Sequence, residues 1–90
     1  MTTKDLFDFI SNHNSVLNKF NKDTGSIESY SIDSVEMPDI NTLYIYGKKK
    51  NLRPKYAFII NPIFKYEKKS NGNIDILFNN RKEFSLEAVS

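Results

Sequence analysis

The chain has 90 residues, with 13 Lys and Arg against 11 Asp and Glu, a formal net charge of +2, and an apolar fraction of 39% that includes seven Phe and five Tyr. That length suits one domain over residues 1–90 and leaves no room for a second. There is no Cys, which excludes a disulfide framework, a thiolate metal site and a cysteine nucleophile, and no stretch approaches the roughly 20 apolar residues of a membrane helix.

Residues 3–22 carry a helical pattern. Thr2 or Thr3 suits the cap, Asp5 and Asp8 complement the positive end of the macrodipole, and Leu6, Phe9, Ile10, Leu17 and Phe20 recur on one face. Lys19 and Lys22 suit a last turn and Gly25 a chain exit. The weak point is Ser11-Asn12-His13-Asn14-Ser15, whose side chains favour caps and turns, so the helix is expected to be vulnerable to a break there.

From Ile27 to Met37 the pattern becomes a ragged alternation, with Tyr30 and Ile32 on one face and Val35 and Met37 shifted by one. A bulge or turn near Asp33-Ser34 accounts for the shift, and Pro38-Asp39 ends the segment. Leu43–Tyr46 reads as a short strand and Gly47–Pro54 as a basic loop. Tyr56–Ile60 is nearly all apolar, which predicts a central strand covered on both faces. Asn61-Pro62 bends the chain, and segments 63–69, 74–78 and 84–89 complete a meander. Around Asn71-Gly72, a three-residue loop Ser70-Asn71-Gly72 pairs Lys68 with Ile74, Tyr66 with Ile76 and Phe64 with Phe78, and gives Gly72 the left-handed position. A two-residue loop would mix lysines into the apolar face, so the pattern selects the longer one. The expected fold is α+β, an N-terminal helix packed on a curved antiparallel sheet of five or six strands.

Charge is unevenly spread along the chain. Residues 1–45 hold three Lys against seven acids, and residues 46–90 hold ten Lys and Arg against four. Lys48, Lys49, Lys50, Arg53, Lys55, Lys65, Lys68 and Lys69 form most of the excess, with Tyr44, Tyr46, Tyr56, Phe64 and Tyr66 among them. Lysines neutralise phosphates, and an exposed aromatic ring offers a base a stacking surface. The candidate contacts to nucleic acid or another partner are therefore Tyr46, Lys48, Lys49, Lys50, Arg53, Lys55, Lys65, Tyr66 and Lys69. The bland alternative is a solvated turn beside core aromatics.

Catalysis finds little material. His13 is the one histidine and has no nucleophile or acid at a diagnostic spacing. There is no phosphate loop, dinucleotide fingerprint or calcium loop, and the ligand supply for zinc is poor. No enzymatic activity, cofactor, metal, small-molecule ligand or membrane partner is expected. Lys, Asn and Ile make up 32 residues while Arg supplies two. Their AT-rich codons point to a low-GC genome, such as that of a bacterium or its phage. The start of the chain lacks the pattern of a secretory signal, so the expected location is the cytoplasm.

The run from Leu52 to Asn61, with Ile63 and the hairpin to Phe84, loosely resembles the second half of a LytTR-type DNA-binding domain. That family shows Arg, then His and Ser, then an aromatic, two aliphatics and Asn. Here Lys55 stands at the His position and Ala57 at the Ser position, and the family's preceding helix is missing. The resemblance covers about a third of the chain and implies a nucleic-acid contact. The expected function is a small non-enzymatic binding protein that contacts nucleic acid or a nucleoprotein machine. The alternative is an inhibitor or adaptor from a phage or mobile element that docks on a host protein. An RNase-like toxin ranks last.

Overall fold

Thr2 sets the start of the helix. The computed structural model describes residues 2–61 and 63–89. The Thr2 hydroxyl accepts from the Asp5 amide at 3.3 Å, and the Asp5 carboxylate accepts from the Thr2 amide at 2.8 Å. This reciprocal box satisfies donors that a helix start otherwise leaves open, and it holds the Asp5 carboxyl below its ordinary pKa. Helix α1 spans Thr3–Asn12 and buries Thr3, Leu6 and Ile10, the i, i+3, i+7 stripe of one face.

The helix stops inside the Ser-Asn-His-Asn-Ser run. His13 is extended (φ −138°, ψ 147°), and the Ser15 hydroxyl donates to its carbonyl at 3.2 Å. The expected helix over 3–22 is therefore corrected: residues Ser15–Phe20 form strand β1. Leu17 and Phe20 fit helical spacing, but Ser15 and Leu17 also fit an alternation, and so short a segment is decided by its neighbours. β1 has a partner strand on each side.

The other strands are β2 (Ile27–Asp39), β3 (Thr42–Lys49), β4 (Lys55–Ile60), β5 (Lys65–Lys68), β6 (Ile74–Phe78) and β7 (Arg81–Ala88). All neighbours are antiparallel, in the order β4-β3-β2-β1-β7-β6-β5. The α+β class holds. The sheet has seven strands where five or six were expected, and β1 is the addition. Tyr56–Ile60 is also corrected, because it forms the edge strand β4. Its apolar run combines an inward Phe58 and Ile60 with a Tyr56 and Ile59 that remain exposed.

Closure governs the shape. Residues 61–64 carry the chain from β4 on one edge to β5 on the other. Across a flat seven-stranded sheet the edges would lie about 29 Å apart, while the link from Ile60 to Lys65 reaches at most about 18 Å. The sheet must curl. The rings of Phe58 on β4 and Phe84 on β7 accordingly lie 5.8 Å apart, although three strands separate them in the sheet. Six antiparallel steps leave β4 and β5 pointing the same way, and a parallel pair needs a crossover of a dozen residues or more. Four residues do not provide one, so the barrel stays open at this seam.

The inner face of the curl is the core. Leu17, Leu43, Ile45, Ile60, Ile74, Ile76, Phe84 and Leu86 are buried there with Leu6 and Ile10 of α1. The helix lies across the end where β1 begins, with the Thr3 hydroxyl 3.3 Å from the Tyr66 hydroxyl on β5. Phe20 departs from the expected helix face and points to the outer side of β1, under the Lys82 ammonium at 5.3 Å.

Local geometry follows the residue types. The register shifts between Ile32 and Ser34, where the alternation slips in the sequence. The β5–β6 hairpin has the expected three-residue loop, pairing Lys68 with Ile74 and Tyr66 with Ile76, with Gly72 at φ 91°. The bend at Asn61-Pro62 falls partly on Pro62, which lies outside the described residues. Next to it, the Asn61 carbonyl accepts from the Phe64 amide at 3.1 Å. β6 and β7 are joined by Asn79-Asn80, both at positive φ, the two-residue mirror-image turn that suits a twisted hairpin.

Replacing Leu17, fully buried on β1, by Ala is expected to cost about 2–5 kcal/mol, while Phe20→Ala on the outer face costs less. Urea unfolding of the two variants measures the order, which a continuous helix through residue 20 would not produce. Gly72→Val is expected to lose about 1–3 kcal/mol in the same assay through backbone strain alone, since a Cβ there meets no atom within 4 Å.

Candidate nucleic-acid interface

In an antiparallel meander the connections alternate between two ends. The turn 21–26, the loop 50–54 and the turn 79–80 all open at the end opposite α1, here the loop end. The turn 40–41 and the hairpin loop 70–72 open at the helix end. This alternation collects cations that are scattered in sequence. Lys22 comes from the first turn, Lys50 and Arg53 from the second and Arg81 from the third, and all four are exposed. Among the described residues none of them is ion-paired to a carboxylate. Lys65 opens β5, whose first residue also lies toward the loop end, and is exposed and unpaired in the same sense. The helix end is mixed: Asp5, Asp8 and Asp39 lie there with Lys4, which pairs with Asp8 at 3.3 Å, and with Lys68 and Lys69 beside the hairpin loop. The loop end carries Asp23 beside Lys22 and is otherwise rich in unpaired cations.

Four of the lysines expected at the interface are engaged by carboxylates. Lys48 and Lys55 face each other across β3 and β4, an arrangement that repels. Asp33, the extra residue of the β2 bulge, reaches both, at 3.7 Å and 3.3 Å. Lys49 points to the inner side, 3.0 Å from Glu28 and over the rings of Tyr30 and Tyr56. Lys69 lies 2.6 Å from Glu67 and 3.4 Å from Asp75. Asp75 is 3% exposed and has Lys82 on its other side at 3.4 Å. The hydrogen bond to Glu28 raises the Lys49 pKa, and the one to Glu67 raises that of Lys69. The charge of all four lysines is thus partly neutralised within the molecule.

The tyrosines sit apart from a stacking role. Tyr66 is half-buried, turned toward α1 and bonded to Thr3. Tyr46 lies on the outer face, half-buried, with its hydroxyl donating to Glu36 at 3.4 Å. Burial, then the Glu36 charge, raises its pKa. The expected set of nine thus divides. Lys50, Arg53 and Lys65 remain available, Lys48, Lys49, Lys55 and Lys69 are ion-paired, and Tyr46 and Tyr66 are largely committed to packing. The sequence reading missed Lys22 and Arg81, and their signal was positional. Lys22 belongs to a segment read as helix, and Arg81 follows an Asn-Asn pair that favours positive φ.

His13 caps the end of α1, exposed, with Nδ1 2.8 Å from the Phe9 carbonyl and its ring 4.8 Å from the Phe9 ring. It borders an open cleft with Ser11, Asp33 and Ser34. Among the described residues no group of three His, Cys, Asp or Glu is placed to hold a metal, and no helix is long and apolar enough to cross a membrane. Comparison with family models, curated proteins and solved structures gives no match. The loose LytTR resemblance gains no support there.

Tyr30 anchors the loop end from inside. It is 3% exposed and donates to Glu28 at 2.8 Å. Burial first, then that hydrogen bond, pushes its pKa up to about 12. The same bond, followed by Lys49, holds Glu28 below its ordinary value. Unfolded tyrosine releases its proton near 10, so the folded chain binds the proton more tightly. The resulting stability is complete below pH about 10 and is lost as pH rises toward about 12. The urea midpoint is expected to fall across that window, and Tyr30→Phe is expected to make the fall shallower.

Proposed function

We propose that this is a non-enzymatic binding protein whose loop end contacts the phosphate backbone of nucleic acid. The observation that carries the reading is the gathering of Lys22, Lys50, Arg53 and Arg81, from three separate turns, on one end of the barrel without carboxylate partners among the described residues. Exposed cations on short turns meet phosphates at low reorganisation cost, and such contacts position a protein without reading sequence. Lys65 extends the same end along the seam. The paired lysines hold the scaffold that presents these groups. Without exposed ring faces at Tyr46 and Tyr66, the contact is with backbone and tolerates many sequences.

Neutralising about five phosphates on duplex DNA gives a slope of log K against log salt near −4 to −5. Lys50→Glu with Arg53→Glu, and separately Lys22→Glu with Arg81→Glu, are each expected to weaken binding across all sequences and to flatten the slope by about two. Fluorescence anisotropy with DNA and RNA oligonucleotides at several salt concentrations measures this. The second pair is the sharper test, because those residues join the first pair only through the fold. If no oligonucleotide binds at low salt, the reading is wrong, and the alternative of an inhibitor or adaptor that docks on an acidic host protein takes its place.

A further inference from the structure

The tip of the β5–β6 hairpin carries a reactive pair. Asn71 is followed by Gly72, and no other asparagine of the chain precedes a glycine. The carbon of an asparagine side-chain amide is an electrophile, and the backbone nitrogen of the next residue is placed to close a five-membered ring on it. A glycine there has no Cβ to shield that nitrogen and has the widest backbone freedom. Asn71 is exposed, and the space beside Gly72 is open, since a Cβ there would meet no atom within 4 Å.

The loop touches both partners of this reaction. The Asn73 amide donates to Asn71 Oδ1 at 3.0 Å, which makes the loop an Asx turn. Oδ1 is the oxygen that becomes an oxyanion when Cγ is attacked, so the donor stands where negative charge develops. The Gly72 amide donates to the Lys69 carbonyl at 3.0 Å. That bond holds the proton that the nucleophile must lose and restrains its nitrogen, so it acts against the reaction.

We propose that Asn71 is a site of spontaneous covalent modification, converting to isoaspartate and aspartate through a succinimide formed with Gly72. Hydroxide removes the Gly72 amide proton, and the nitrogen attacks Asn71 Cγ to form a C–N bond. The Cγ–Nδ2 bond breaks, and the side-chain nitrogen leaves as ammonia with a proton from water. A second water opens the ring. Opening at Cγ gives aspartate, and opening at the backbone carbonyl gives isoaspartate. In sum one water is consumed and one ammonia released, with no oxidation or reduction.

Rival positions are held back by the chain itself. Asn61 precedes Pro62, which has no amide hydrogen to lose. Asn14 precedes the small Ser15, but Ser15 is 5% exposed and paired with Ala88, and the Asn14 carbonyl accepts from the Val89 amide at 2.8 Å. The two products at Asn71 affect the hairpin differently. Aspartate keeps an oxygen for the Asn73 amide, and its charge strengthens that bond. Isoaspartate routes the main chain through the former side chain and lengthens a loop whose length sets the pairing of Lys68 with Ile74 and Tyr66 with Ile76. β5 is four residues long and has β6 as its one partner strand, so it is the element that loosens.

The inference is independent of the nucleic-acid reading, and its test uses the chain alone. The full chain is held in mildly alkaline buffer, folded and in parallel unfolded in guanidinium, and followed by intact mass and peptide mapping. In the folded chain Asn71 is expected to convert before any other asparagine, to both isoaspartate and aspartate, at a rate proportional to hydroxide. The unfolded chain is expected to convert faster, because it lacks the bond from Gly72 to Lys69. Asn71→Gln, whose longer side chain would close a larger ring, is expected to lose the early mass gain. Asn71→Asp is expected to melt no lower than the parent, and aged chain enriched in isoaspartate to melt lower than both. Earlier conversion of another asparagine overturns the proposal. So does a folded chain that stays intact while the unfolded chain converts completely. Aspartate formed at Asn71 without isoaspartate overturns the ring route, and equal rates for folded and unfolded chain overturn the restraint assigned to the Lys69 carbonyl.

Discussion

The pairing of β1 with β7 is the interaction on which the rest of the structure depends. Strands β1 to β4 form one meander and β5 to β7 another, and each alone is an open sheet with little to cover its apolar face. The ladder from Ser15 opposite Ala88 to Lys19 opposite Phe84 joins them. It connects nearly the two ends of the chain, so it carries a large loop-closure cost that local contacts do not offset. Once it forms, the four-residue link between β4 and β5 compels the sheet to curl, and the curl creates an inside. Leu17 then lies opposite Leu86 on β7 and Tyr30 on β2, and α1 closes one end with Leu6 and Ile10.

Closure also sorts the charges. Every second connection in a meander opens at the same end, so turns distant in sequence become neighbours. The acidic first half contributes Lys22 to the loop end, and the basic second half spends Lys48, Lys55 and Lys69 on internal ion pairs. Exposed pairs of this kind contribute little stability each. Asp33 has a more particular role, because it separates two lysines that the β3–β4 register sets face to face. The bulge that the broken alternation signals is thus also the device that relieves a repulsion.

The open seam leaves β4 and β5 without partners, and the two strands treat that exposure differently. β5 is short and charged, whereas β4 carries a charge only at Lys55 and has exposed Ile59 on it and Ile63 just beyond. The seam is also bordered by an aromatic cluster, in which Phe64 lies 5.9 Å from Phe78 and 6.0 Å from Phe84.

The sequence by itself determined the features that depend on neighbours along the chain. The start of α1 follows from Thr2 and Asp5, the slip near Asp33 from the alternation, and the β5–β6 register from Gly72 and the apolar phase, because each is decided within a few residues. The α+β class was legible for the same reason. The tertiary structure decided whether residues 15–20 were helix or strand, since Leu17 fits a helical pair with Phe20 and an alternation with Ser15, and only the ladders to β2 and β7 choose between them. It decided that Tyr56–Ile60 was an edge, because apolarity reports burial by any neighbour and does not specify a strand on each side. It also decided which lysines remained available. A cation's partner is set by distance through space, and Asp33, Glu28 and Asp75 reach their lysines only once the strand registers are fixed.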